Sequence, residues 1–243
     1  LSSGKRINHA RDDAAGMAIS SKMTSQINGM NQAVRNTNDG ISMVQTADGA
    51  MEGIADKLQR MRELAVQSSN GIYSSSDRAA LDIEFQALDD EINRVASSAE
   101  FNGTNLIDAD AQIDIQVSYA ADSTNGKITV SLSGVDSTDL GINANVITSQ
   151  AASSTAITAV DAALSTVNSA RATLGATQNR LETTVKDLKN NVENLSASRS
   201  RIEDADFASE TAQLAKSQIL QQAGMAMLAQ ANQLPQQVLS LLR

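Results

Sequence analysis

From residue 157 to residue 195 one pattern repeats. Ile157, Val160, Leu164, Val167, Arg171, Leu174, Gln178, Leu181, Val185, Leu188, Val192 and Leu195 follow in alternating steps of three and four, and Ile202 stays in phase. Such steps keep side chains on one stripe of an α-helix, and a stripe this long is buried only by helices running alongside it. The spacing therefore predicts a long helix over 157–202 that needs partner helices along its length. Arg171 and Gln178 place polar groups in the seam. Each reads as a solvated or locally hydrogen-bonded position, with register-setting as the alternative.

A matching helical run extends from Ile19 to about Ser68. Ile27, Met30, Val34, Ile41 and Val44 alternate by three and four with Thr37 in a polar slot, and Ala47, Met51, Ile54, Leu58, Met61 and Ala65 continue the series. Two successive steps of three at Ile41–Val44–Ala47 predict a stammer. Asp12 and Asp13 sit where acids favour a helix N-terminus, and Asn70-Gly71 is a pair suited to ending one. At about 1.5 Å per residue the run would make a rod of roughly 70 Å. A second helix is predicted at about 76–98 from Leu81, Phe85, Leu88, Ile92 and Val95, stopping before Phe101-Asn102-Gly103.

The period then changes to two. Ile113, Ile115, Val117 and Tyr119 alternate, as do Ile128, Val130 and Leu132, with Asp122–Gly126 between them, which predicts a β-hairpin within 112–133. Residues 134–154 read as loop, and the polar residues 1–16 as an extended connector. The last stretch, about 204–242, is a helix with a broad apolar surface that includes Leu214, Ile219, Leu220, Met227, Leu228, Leu234, Val238, Leu241 and Leu242. Pro235 is expected to kink or shift it. No other part of the chain is left to cover that surface, so it should pack on another chain or on residues upstream of Leu1. The fold class is mainly α: a long, coiled-coil-like antiparallel helical bundle with a small β-hairpin.

Composition narrows the chemistry. Aromatic residues make up 2% of the 243 residues, with no Trp and one Pro, which suits slender helix-on-helix packing. A net charge of −9 argues against nucleic acid. No apolar run approaches the roughly 20 residues that a membrane-spanning helix needs, so no membrane insertion is expected. The absence of Cys removes disulfides, thiolate metal sites and thiol catalysis. His9 is the single histidine, which excludes a paired-histidine metal site. It reads as a solvated or interface residue. Asp89-Asp90 and Glu203-Asp204 are neighbours that diverge by about 100° on a helix, so they read as solvated charges. No phosphate-cradling glycine loop is present. No cofactor, metal or enzymatic activity is expected.

Several long motifs in collinear order carry a resemblance. LSSGKRINHARDDAAGMAIS at 1–20, NDGISMVQTADGAM at 38–51, LQRMRELAVQSSNG at 58–71, EFNGTNLID at 100–108, LGATQNRLE at 174–182 and SRIEDADFASETAQLAKSQILQQAGMAMLAQANQLPQQVLSLLR at 200–243 closely resemble the bacterial flagellins. The likeness spans nearly the whole chain apart from about 109–155, where only the hairpin and loop stand in place of large variable outer domains. It implies residues 1–16 as a connector, 17–202 as an outer-core helical domain, and 203–243 as the C-terminal helix of an inner-core domain whose N-terminal partner would lie upstream of Leu1. It also implies a filament subunit that polymerises head-to-tail for motility, outside the cell, after type III export. A hook–filament junction protein with similar ends is the alternative.

Site residues follow from the same resemblance. Arg60, Leu64, Gln67 and Glu84 match a face that flagellins use for subunit stacking and that the flagellin-sensing Toll-like receptor grips. The first three lie at i, i+4 and i+7, which places them on one side of a helix. Leu228, Leu234, Val238, Leu239, Leu241 and Leu242 match the inner-core segment, which is also bound by the export chaperone and sensed by cytosolic innate receptors. Further implied partners are other copies of the chain and the cap and hook–filament junction proteins.

Overall fold

The computed structural model describes residues 3–120 and 126–241. Its elements in chain order are α1 (Ala14–Ser68), α2 (Ser75–Ser98), β1 (Glu100–Phe101), β2 (Thr104–Asn105), β3 (Ala111–Gln116), β4 (Lys127–Leu132), α3 (Gln150–Glu203) and α4 (Phe207–Leu241). The chain divides into two compact units, one from residues up to Ile27 and from Glu193 onward, the other spanning Asn28–Val192.

The larger unit holds the main core. Its buried cluster draws on α1, α2, the β3–β4 hairpin, the 133–149 segment and α3. α1 and α3 run antiparallel here, because partners climb one helix as they descend the other: Asp48 meets Arg171, Arg62 meets Asp161, and Ser68 meets Ser153. One line of buried α1 positions, Met30, Ala33, Thr37, Gly40, Val44, Ala47, Met51, Ile54, Leu58, Met61, Ala65 and Ser68, runs in unbroken alternation of three and four, with Met43, Ala55 and Leu64 buried beside it. The stammer expected at Val44–Ala47 is therefore absent. The small residues Ala33 and Gly40 occupy the seam, while the larger Val34 and Ile41 flank it half-buried.

Gly40 has a specific reason to be small. A Cβ there would come within 2.2 Å of Ile115 Cδ1 on β3, and one at Gly29 would come within 2.7 Å of Tyr119 Cβ. Both glycines cost helix propensity, and both let the hairpin segment press against the helix. The hairpin pairs Ile113 with Val130 and Ile115 with Ile128. It is shorter than its alternation suggested, since Tyr119 lies beyond β3 and is exposed. The expected loop between the strands falls largely at 121–125, outside the described residues. The Asn102-Gly103 turn closes a further two-residue ladder, β1–β2, and both residues have positive φ, 51° and 76°. That is the backbone that suits Asn-Gly in a tight hairpin.

The 133–149 segment has no regular structure but is not a solvated loop. Val135, Leu140, Ile142 and Ile147 are core residues. Its backbone is satisfied from α2: Asp82 Oδ1 accepts from Ile147 N at 2.7 Å, Gln86 Nε2 donates to Asn145 O, and Asn93 Oδ1 accepts from Ser137 N. α3 begins seven residues ahead of its apolar seam because Ser149 caps it, its Oγ accepting from Ala152 N at 3.2 Å.

In the smaller unit α1 starts at Ala14, with Asp13 Oδ1 accepting from Gly16 N at 2.8 Å as an N-cap. Residues ahead of it are held by Asp12, whose Oδ2 accepts from the N–H groups of Asn8 and His9. Ile7 is buried. α4 runs through Pro235 to Leu241.

Candidate functional site

The first candidate surface lies on α1 and α2 in the larger unit. Arg60 projects from the exposed side of α1 and bridges the two helices, with Nη2 2.8 Å from Glu84 Oε1 and Nη1 3.0 Å from Glu63 Oε2. Hydrogen bonds to those carboxylates hold the guanidinium charged, above its already high ordinary value. Gln67 donates to the Tyr73 hydroxyl at 3.1 Å. Sequence reasoning placed Leu64 on this face with Arg60 and Gln67; it is instead 1% exposed and belongs to the core. Leu64 is turned only about 40° from Arg60, but that turn is toward Met61, Ala65 and Ser68, and it sits at the edge of their buried stripe. The displayed groups are thus Arg60, Gln67 and Glu84.

Local chemistry fixes the turn that brings α2 beside α1. Ser74 and Asp77 form a reciprocal capping box, the Ser74 side chain accepting from Asp77 N while Asp77 accepts from Ser74 N. Arg78 staples the end of α1, with Nε donating to Ser68 O at 2.7 Å and Nη2 to Asn70 O at 2.8 Å. Ser68, Ser153 and the Ile147 carbonyl share a buried hydrogen-bonded node beneath it.

The second candidate surface is α4. Phe207, Leu214, Ile219, Leu220, Met225, Met227 and Leu228 are all exposed, Leu228 at 62%. Hydrophobic side chains in this number on one uncovered helix mark an interaction surface. Side chains of Leu234, Val238, Leu239 and Leu241, and the whole of Leu242, lie outside the described residues.

Other polar groups behave differently from their sequence reading. Arg171 is half-buried and not locally bonded: it crosses to α1, Nε lying 2.8 Å from Asp48 Oδ1 and Nη2 3.6 Å from Glu52 Oε2. Gln178 bonds locally to Glu182 at 3.0 Å. Asp89, read as a solvated charge, is 8% exposed, and its Oδ1 has no hydrogen-bond partner. Burial pushes its carboxyl up, against a hydrogen bond to Ser137 that pulls it down. The 133–149 segment covers it, and that packing left no periodic trace to read. Glu203 is not a free charge either. It accepts from Lys5 Nζ and from Ser20 Oγ, and these bonds hold its carboxyl low. His9 is exposed in the leading segment. Among the described residues no group of three or more His, Cys, Asp or Glu is placed to hold a metal ion, and no helix is long and apolar enough to cross a membrane.

Two family matches bracket the helices that carry these surfaces. Residues 1–112 match the bacterial flagellin N-terminal helical region, and residues 157–242 match the bacterial flagellin C-terminal helical region. The chain belongs to the bacterial flagellin family. It is 50% identical over 245 residues to a flagellin of Halalkalibacterium halodurans, an alignment covering all of this chain and 89% of that one. It is 44% identical over 259 residues to the flagellar filament 33 kDa core protein of Treponema phagedenis, covering all of this chain and 90% of that one. The crystal structure of Bacillus cereus flagellin aligns with a TM-score of 0.57 at 33% identity, over 63% of this chain and 88% of that one. A putative flagellar hook-associated protein from Vibrio parahaemolyticus aligns with a TM-score of 0.66 over 79% of this chain and all of that one; at 12% identity the likeness is one of fold alone. As a flagellin, the chain is a structural subunit of the flagellar filament and not an enzyme. It serves motility, it self-associates, and its place is the extracellular flagellum.

Proposed function

We propose that the chain adds to its filament head-to-tail, with α4 as the helix buried among neighbouring subunits and the Arg60–Glu84 face as a contact along the stack. The observation that carries this is the uncovered apolar surface of α4 in a family of filament subunits. A single exposed helix is marginal in water, so burial by neighbours supplies what its own unit does not. Head-to-tail contacts between unlike surfaces do not close on themselves, and repeated they generate a helical polymer. In this reading residues 1–16 connect the two layers, 17–202 form the outer core, and 203–243 belong to the inner core.

Before assembly the same helix needs another cover. An export chaperone that receives it in a hydrophobic groove fits its chemistry, as does passage through a type III channel before the helix has folded against neighbours. Addition would occur at the filament tip under a cap protein, with junction proteins joining the filament to the hook. Free monomer exposing Arg60, Gln67 and Glu84 would be a ligand for the flagellin-sensing Toll-like receptor, and the segment from Leu228 to Leu242 a ligand for cytosolic receptors.

Seeded assembly tests the central claim. Full-length protein mixed with filament fragments should elongate them, as seen by electron microscopy, and Leu228→Glu should not. Failure of the unaltered protein to elongate seeds would refute head-to-tail addition. Arg60→Ala monomer should signal about tenfold less in Toll-like-receptor reporter cells, the scale expected for an arginine at the centre of an interface. Undiminished signalling would remove Arg60 from the receptor face.

A further inference from the structure

We infer that residues 4–7 act as a strap that decides whether α3 and α4 are two helices or one. The break between them, at 204–206, contains Asp-Ala-Asp and neither Gly nor Pro, so nothing steric bars a helix from running through it. What occupies the break is the strap. Lys5 and Asp204 form an isolated antiparallel bridge. Ala205 N donates to Gly4 O at 3.0 Å, Arg6 N donates to Glu203 O at 2.7 Å, and Arg6 Nη2 donates to Ile202 O at 2.8 Å.

Each of these bonds takes an atom that a continuous helix would use. With i to i−4 pairing, Ala205 N would bond Arg201 O, Ile202 O would accept from Asp206 N, and Glu203 O would accept from Phe207 N. The last carbonyls of a helix need partners from elsewhere, and here the strap supplies them across a sequence separation of nearly the whole chain. Two features anchor it: the Lys5–Glu203 ion pair and the buried side chain of Ile7. A local competitor exists in Asp206, whose Oδ1 accepts from Ala208 N at 3.0 Å and caps α4. A cap satisfies amides at the start of α4 and leaves the carbonyls of Ile202 and Glu203 unclaimed, so by itself it does not hold the break open. With the strap undocked, α3 continues into α4. Docking of the leading segment and the ending of α3 are one event.

The test is NMR of the full chain carrying Lys5→Glu and Ile7→Ser together, compared with Asp206→Ala alone. In the strap variant the Cα shifts of Asp204, Ala205 and Asp206 should move downfield to helical values, and the Asp206 and Phe207 amides should exchange more slowly. In Asp206→Ala the break should persist. Adding Glu203→Lys to Lys5→Glu with Ile7 intact should restore the break. Amides of Leu58 and Leu174 in the larger unit should stay protected throughout, which separates a local change from global unfolding. Non-helical or random-coil shifts at 204–206 in the strap variant would overturn the inference, as would closure of the break by Asp206→Ala alone.

Discussion

Asp89 is an acid that would be more comfortable neutral. An acceptor left without a partner in a core costs about 1–3 kcal/mol, and no cation offsets the charge: its neighbours Asp90 and Asp136 add to the upward push. Its folded-state pKa is raised, so its favourable contribution is complete below the ordinary aspartate value of about 3.9 and is lost as pH rises through the folded value. Asp89→Asn should therefore raise the urea midpoint at pH 7 and leave it nearly unchanged at pH 3. Glu203 has the opposite sign. Its lowered carboxyl contributes above the ordinary glutamate range and the contribution fades on acidification. Gly40 is constrained by sterics. Gly40→Val would drive a branched side chain into Ile115 and should cost about 1–3 kcal/mol, read as a lower thermal midpoint. The sequence announced neither case, because an acid and a glycine look the same in a string whether buried or bare. Leu64 failed in the other direction. A motif match named it a contact residue, and its own hydrophobicity, read alone, would have assigned it to the core.

The helices themselves were legible, and their boundaries were set by chemistry that periodicity does not carry. α3 begins at Gln150 because Ser149 caps it, and α2 begins at Ser75 because Ser74 and Asp77 cap each other. Ser74→Ala should cost about 1 kcal/mol in the unfolding free energy. The seam of α1 was misphased because hydrophobicity favoured Val34 and Ile41, whereas close approach of the hairpin favoured Ala33 and Gly40. Volume, and not apolarity, chose the buried position. Arg171 was visible as an interruption, yet its partner on α1 was not, since a single helix pattern holds no information about what lies across from it. A double-mutant cycle of Arg171→Ala with Asp48→Ala should give a coupling of about 0.5–1 kcal/mol, at the upper end for a partly exposed pair. A coupling of zero would mean that the pair contributes nothing beyond its geometry.

At the scale of the whole chain, stability and assembly are carried by different surfaces. The larger unit holds the main buried apolar cluster within itself, while α4 presents its apolar residues outward. Leu228→Glu should accordingly leave the melting of the larger unit unchanged in calorimetry and still abolish incorporation into filaments. The mainly helical class was readable from a seam that needed partners and a tail that had none, and the filament role from the resemblance of the collinear motifs to flagellins. How α3 and α4 part at 204–206 was not, because the atoms that stop the helix come from residues 4–7. The near-absence of aromatic residues has an optical consequence. With no Trp and only Tyr73 and Tyr119 as phenols, intrinsic emission comes from two fixed addresses. One is hydrogen-bonded to Gln67 on the proposed stacking face, and the other rests against Gly29 of α1. Replacing either with Phe leaves a single tyrosine to excite, so events at the contact face and at the hairpin can be followed separately without any attached dye.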